Sequence, residues 1–126
     1  MFTKSLEDFK SYNLGDILGD PEIGIAFKWI TGKDSSVNNY GFNFILGHCI
    51  VNQGKTHPVN SGESAMVVFI LSGIASFKSK SSKFQVKTGD IIYICRGEIC
   101  YVQNIGDTKL EFISCSDNKL NRFDVN

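Results

Sequence analysis

Any chemistry in this chain has to come from a few scattered side chains. There are two histidines, His48 and His57, and four cysteines, Cys49, Cys95, Cys100 and Cys115. Imidazole titrates near neutrality and suits proton transfer. His57 and Glu63 share one glycine- and proline-bearing stretch, residues 53–63, and as a pair would do acid–base work. The plainer reading, two solvated loop residues, is preferred. Cys100 as a thiolate would be a nucleophile or a soft-metal ligand. No neighbouring base is evident, so a small apolar filler is the preferred reading there. The cysteine spacing contains no C-x-x-C, which leaves no zinc-ribbon or thioredoxin-type site. There is no P-loop, no G-x-G-x-x-G and no G-x-S-x-G.

Strands must position these residues. Residues 66–71, Met-Val-Val-Phe-Ile-Leu, are the most apolar run and the expected central strand. Further strands are expected at 23–30, 42–51, 74–78, 84–87, 91–95, 99–104 and 109–115. Turn signals separate them, among them Gly73, Gly89-Asp90 and Gly106-Asp107. Residues 34–39 and 53–63 read as loops. Ser5 caps a short helical segment over 6–12, with Asp8 completing a capping box. About eight short strands without a long helix predict an all-β sandwich or barrel. A strand apolar on both faces predicts burial between two sheets, or between a sheet and a partner subunit.

A chain of 126 residues, 42% of them hydrophobic, suits one domain with a real core. Thirteen basic and thirteen acidic side chains cancel, so no electrostatic footprint for nucleic acid is present. Lys78, Lys80, Lys83 and Lys87 surround one turn and read as a solvated edge. The first ten residues are too polar for a signal peptide, and no apolar run approaches the roughly 20 residues of a membrane span. The expectation is a cytoplasmic protein with no membrane partner and with free thiols.

Two spaced patterns carry a family resemblance. Gly89, Cys95, Gly97, Cys100 and Asn104 keep the spacing G-x5-P-x-G-x2-H-x3-N, with Cys95 for the proline and Cys100 for the histidine. Gly54, Asn60, Gly62, Met66 and Gly73 keep the spacing G-x5-H-x-H-x3,4-E-x6-G, with all three ligand positions changed. The segment Phe27-Lys28-Trp29-Ile30-Thr31-Gly32 also looks like the entry strand of small single-domain members. Over roughly residues 23 to 115 the chain resembles the cupins, small jelly-roll barrels. The glycines and Asn104 are scaffold positions, so their match speaks to fold and not to chemistry.

In that family three histidines and a glutamate, or four histidines, hold iron, manganese, nickel, zinc or copper. Here the four places are Asn60, Gly62, Met66 and Cys100, and only Cys100 would be a strong ligand. No metal and no cofactor is therefore expected. The expected function is binding of a small organic ligand in a pocket of Asn60, Met66, Cys100 and His48, with Trp29, Phe42, Phe44 and Tyr101 as candidates to complete its walls. For His48 a plain strand histidine is the preferred reading. The alternative is an enzyme. One form is a metal-independent isomerase or epimerase type, pairing His57 or His48 with Tyr93 or Tyr101. The other is a metal enzyme with the relocated ligands His48, His57, Glu63 and Cys100. Candidate catalytic residues are His57, Glu63 and Tyr101, and Tyr93 and Arg96 are candidates for polar contacts near a barrel end. The resemblance implies a homodimer. Residues 1–22 are expected as an arm with a short helix, 23–115 as the barrel, and 116–126 as a tail.

Overall fold

The computed structural model describes residues 1–32, 35, 41–61 and 64–117, with the backbone alone for residues 60 and 61. Ten strands follow one another: β1 (Tyr12–Asn13), β2 (Ile25–Thr31), β3 (Phe44–Val51), β4 (Thr56–Ser61), β5 (Met66–Ser72), β6 (Ile74–Lys78), β7 (Lys83–Lys87), β8 (Ile91–Ile94), β9 (Ile99–Asn104) and β10 (Leu110–Asp117). A short helix, α1 (Leu14–Leu18), follows β1. The strands form two antiparallel sheets, one ordered β1-β2-β3-β10-β5-β8 and the other β4-β9-β6-β7. This is the expected all-β jelly-roll barrel.

Alternation along each strand builds the core. On β5 Val68 and Ile70 are buried while Val67 and Phe69, which alternate with them, are exposed. On β9 Cys100, Val102 and Asn104 are buried and Ile99, Tyr101 and Gln103 are exposed. Phe77, Phe112, Ile25 and Leu110 complete the interior from three further strands. Each such apolar side chain contributes about 1.5–3 kcal/mol by leaving water. The outer face of β5 is open in the single chain, so the expected burial of both its faces does not occur within it.

Two strands depart from the sequence expectation. Residues 56–61 lie within the stretch read as a loop, yet they pair with β9. Pro58 cannot donate a backbone hydrogen bond, but β4 is an edge strand, where proline is tolerated. The pairing register shifts between Pro58 and Asn60, a bulge that absorbs one residue. β1 pairs with β2 through two residues, too few to leave a periodic signal. At the other edge of the small sheet Lys83 and Lys87 stand exposed on β7, as charges guarding an open edge do. The expected helical start is a single 3-10 turn, Leu6–Asp8, closed by the Ser5–Asp8 capping box. The expected loop at 34–39 lies outside the described residues except for Ser35. β10 continues beyond its expected end through Ser116 and Asp117.

Four glycines of the two spaced patterns sit at turns, and Gly62 lies outside the described residues. Gly54, Gly73, Gly89 and Gly97 all have positive φ. Gly73 is the tightest case: its φ is 105°, and a Cβ there would lie 3.1 Å from the Leu110 Cα. Asn104 is 1% exposed, and its carboxamide is spanned by three hydrogen bonds. Nδ2 donates to the Val51 carbonyl at 2.9 Å and to the Thr108 carbonyl at 2.8 Å, and Oδ1 accepts from the Gly106 N–H at 3.0 Å. Replacing Asn104 with Ala strips partners from three backbone groups. The expected loss is about 3 kcal/mol in urea denaturation. Gln103→Ala, next in the strand but exposed, should change stability by less than about 0.5 kcal/mol. Equal effects would show that the Asn104 bonds do not hold the corner.

Candidate functional site

Between the two sheets lies a cavity of about 390 Å³ that is half open to solvent. Phe27 and Trp29 of β2 form one wall, their rings edge to face at 5.4 Å, with Tyr12 stacked on Phe27 at 5.5 Å. Cys49 of β3 and Phe112 of β10 close the floor, and Met66 of β5 and Val59 of β4 add apolar surface. Burial pushes the Cys49 thiol up to about 12, so it lines the cavity as an inert group. Gly47 leaves room beside Trp29: a Cβ there would lie 3.8 Å from the indole Cε3 and 3.4 Å from Ser114 Oγ, both ordinary contacts. Among the described residues polar groups are few. Ser64 lines the cavity just ahead of β5, Ser114 and Ser116 reach it from β10, and His57 reaches it from β4 in the facing sheet.

His57 is the distinctive member. Its Nδ1 is buried with no hydrogen-bond partner. Burial also lowers its pKa from the usual 6.5, so the ring is neutral at neutral pH. A buried unpartnered nitrogen costs about 1–3 kcal/mol, a cost that a ligand bonded to it would relieve.

The other expected site residues separate. Met66 lines the cavity. His48 borders it, but the neighbouring Cys49 and Val51 fix the inward parity of β3, which turns the His48 ring to the opposite face. There, 3% exposed, its Nε2 lies 2.7 Å from Glu111 Oε2. His48 is thus a satisfied strand histidine and not a cavity ligand. Tyr101 and Tyr93 are 48% and 73% exposed on outer faces, so neither can serve as the acid–base partner of His57 inside the barrel. Arg96 bonds the Asp117 carboxylate. Cys100 is buried among core residues and borders a separate hollow with Phe77, Phe84 and Glu98. Burial and the Glu98 charge raise its pKa, which opposes thiolate formation. Phe42 and Phe44 pack on each other away from the barrel interior, at 5.8 Å. Asn60 pairs with Cys100 through the backbone, and its side chain, like Glu63, lies outside the described residues.

The relocated metal set fails on this geometry. His48, His57 and Cys100 do not converge, and among the described residues no three His, Cys, Asp or Glu side chains could share an ion. The family's ligand positions fit a divalent metal no better: Gly62 has no side chain, Met66 is a soft thioether and Cys100 is held as a thiol. Among the described residues no helix is long and apolar enough to cross a membrane. Sequence reasoning missed Phe27, Gly47, Ser114 and Ser116 as cavity walls. Counting by twos from the apolar Phe112 would have found the serines.

The depressed pKa of His57 makes a signed prediction. Between its folded value and 6.5 the unfolded chain binds more protons than the folded chain. The stability conferred by neutral His57 is therefore complete above 6.5 and is lost as pH falls below it. Urea denaturation of wild type and His57→Leu at pH 7.5 and 5.5 should show the wild type losing more stability on acidification. Equal losses would mean that His57 is not held neutral.

The structural comparisons bear on fold. No family model matches the chain, and no curated protein matches it. Among solved structures, a cupin 2 conserved barrel domain protein from Salinispora arenicola aligns over 99% of this chain and 97% of its own, at 16% identity and a TM-score of 0.70. An RmlC-like cupin from Shewanella frigidimarina aligns over 95% and 93%, at 11% identity and 0.69. The cupin domain of Schizosaccharomyces pombe Cnp3 aligns over 97% and 78%, at 15% identity and 0.67. Strand order, motif glycines and these superpositions agree: the chain has the cupin fold.

Proposed function

We propose that the protein is a small-molecule binding module whose ligand occupies the barrel cavity. The supporting observation is a mostly apolar cavity of about 390 Å³ lined by His57, a residue whose buried Nδ1 has no hydrogen-bond partner. Sites for small organic molecules are commonly of this size, mostly apolar, with a few placed polar groups. A filled barrel with a structural role would have no need of such a chamber.

Trp29 is the single tryptophan and lines the cavity, so its fluorescence reports occupancy. A compound screen by thermal melting should find one class that both stabilises the chain and changes Trp29 emission. At a hundred times its Kd such a compound adds about 2.7 kcal/mol of stability. Gly47→Leu projects a side chain into the space beside Trp29 and should abolish both effects while the unliganded protein stays folded. Undiminished binding by that variant would place the ligand elsewhere.

We also propose that two chains pair through the outer face of β5 and β8. Val67, Phe69, Ile91 and Tyr93 are exposed there, next to one another in register and without a charged side chain among them. With a net charge of zero, no long-range repulsion keeps two copies apart. Sedimentation equilibrium should give twice the chain mass for wild type and the single mass for Phe69→Glu. A monomeric wild type at tens of micromolar would overturn the pairing.

A further inference from the structure

Resting on the binding reading, we propose that the ligand is an uncharged aromatic ring system carrying one hydroxyl group. The rings lie against Phe27, Trp29 and Met66, and the hydroxyl meets His57.

Charge is the first argument. Lys28 borders the cavity, but its Nζ donates to the Leu6 carbonyl at 2.9 Å, on the outer face of the sheet. The His48 ring is on that same face with Glu111. His57 is the remaining basic group among the described lining residues, and its surroundings oppose protonation. Among the described lining residues a carboxylate or phosphate meets no free counter-charge, and no Asp or Glu is there to hold a cation. The ligand is therefore neutral.

The second argument is hydrogen bonding. His57 Nδ1 donates or accepts according to its tautomer, and a hydroxyl group does both, so it satisfies either form. The atom is closed off from solvent, and contact takes a turn of the ring about a torsion whose profile is broad. Ser114 and Ser116, from the facing sheet, offer one further polar contact. A sugar, with a hydroxyl on nearly every carbon, would leave most of them unpaired against Phe27, Val59, Met66 and Phe112.

Shape is the third. Phe27 and Trp29 present an edge-to-face aromatic wall, and the Gly47 gap lets a flat ring approach the indole. The Met66 sulfur suits an aromatic neighbour. At roughly 30 Å³ per water the cavity has room for about a dozen waters, the size of a two-ring molecule.

The test is calorimetric titration of the full chain at pH 7.5 with four probes of one outline: 2-naphthol, naphthalene, 2-naphthoate and decahydro-2-naphthol. The expected order has 2-naphthol tightest. Naphthalene should be weaker by about tenfold, and the saturated alcohol by about threefold to tenfold. 2-Naphthoate should be weaker by at least about a hundredfold. His57→Leu should still bind naphthalene and should erase the advantage of 2-naphthol over it. Naphthalene binding as well as 2-naphthol overturns the hydroxyl anchor. Naphthoate binding as well overturns neutrality, and the saturated alcohol binding as well overturns the aromatic wall. In each of these cases the cavity still binds and the broader reading stands. If none binds while another class stabilises the barrel, this inference alone fails; if no class stabilises it, both fail.

Discussion

The carboxamide of Asn104 ties together the two sheets around the cavity. It sits at the end of β9 in the small sheet and reaches the Val51 carbonyl at the end of β3 in the large one. It also holds the Thr108 carbonyl, in the turn that leads into β10. Its backbone continues the fixation: Asn104 N donates to the Lys55 carbonyl, and the Gly54 N–H donates to the Asn104 carbonyl. The corner between β3 and β4 and the corner between β9 and β10 are thus locked to one buried residue. Low local dielectric strengthens such bonds and makes their loss costly in the same measure. β4 leaves that corner carrying His57, so the position of this cavity-lining ring descends from the Asn104 bonds.

The cavity itself follows from small residues at inward positions. Gly47, Ser114 and Ser116 face it where bulkier residues would fill it, while Phe112, Cys49 and Val51 pack the barrel further along the same two strands. The cavity, of about 390 Å³, is a cleft half open to solvent that these small side chains leave unfilled. The buried His57 nitrogen without a partner costs stability. The proposed binding role accounts for the unfilled cleft and the unpartnered nitrogen together.

Much of the fold was legible because strand alternation and turn glycines act locally. The apolar run of β5, the hairpin of β6 and β7, and the span of β9 were readable from residue type alone. The motif glycines at 54, 73, 89 and 97 all take the positive φ that their spacing implied. β4 was hidden because Pro58 and its polar neighbours look like a loop, and only the edge position makes them a strand. The site was harder to read because it depends on parity, which slips by one residue without changing composition. Cys100 and Tyr101 are consecutive on β9 and cannot both face inward; the core claims Cys100, so Tyr101 points out. Cys49 does the same to His48. His57 was singled out, but the preferred reading of a solvated loop residue does not hold: it lies on β4 with its Nδ1 buried, which depends on what surrounds it in three dimensions.

The central claim is that ligand enters the barrel and not the larger hollow of about 650 Å³ between the N-terminal arm and the sheet. The chain has two methionines, and each reports on one place: Met66 lines the barrel cavity and Met1 lines the arm hollow. Methyl-labelled methionine therefore gives two resonances that separate the two sites in one spectrum. On titration with 2-naphthol, the account predicts that the Met66 methyl shifts in a saturable way and that the Met1 methyl stays in place. A saturable shift of Met1 with Met66 unmoved would contradict it.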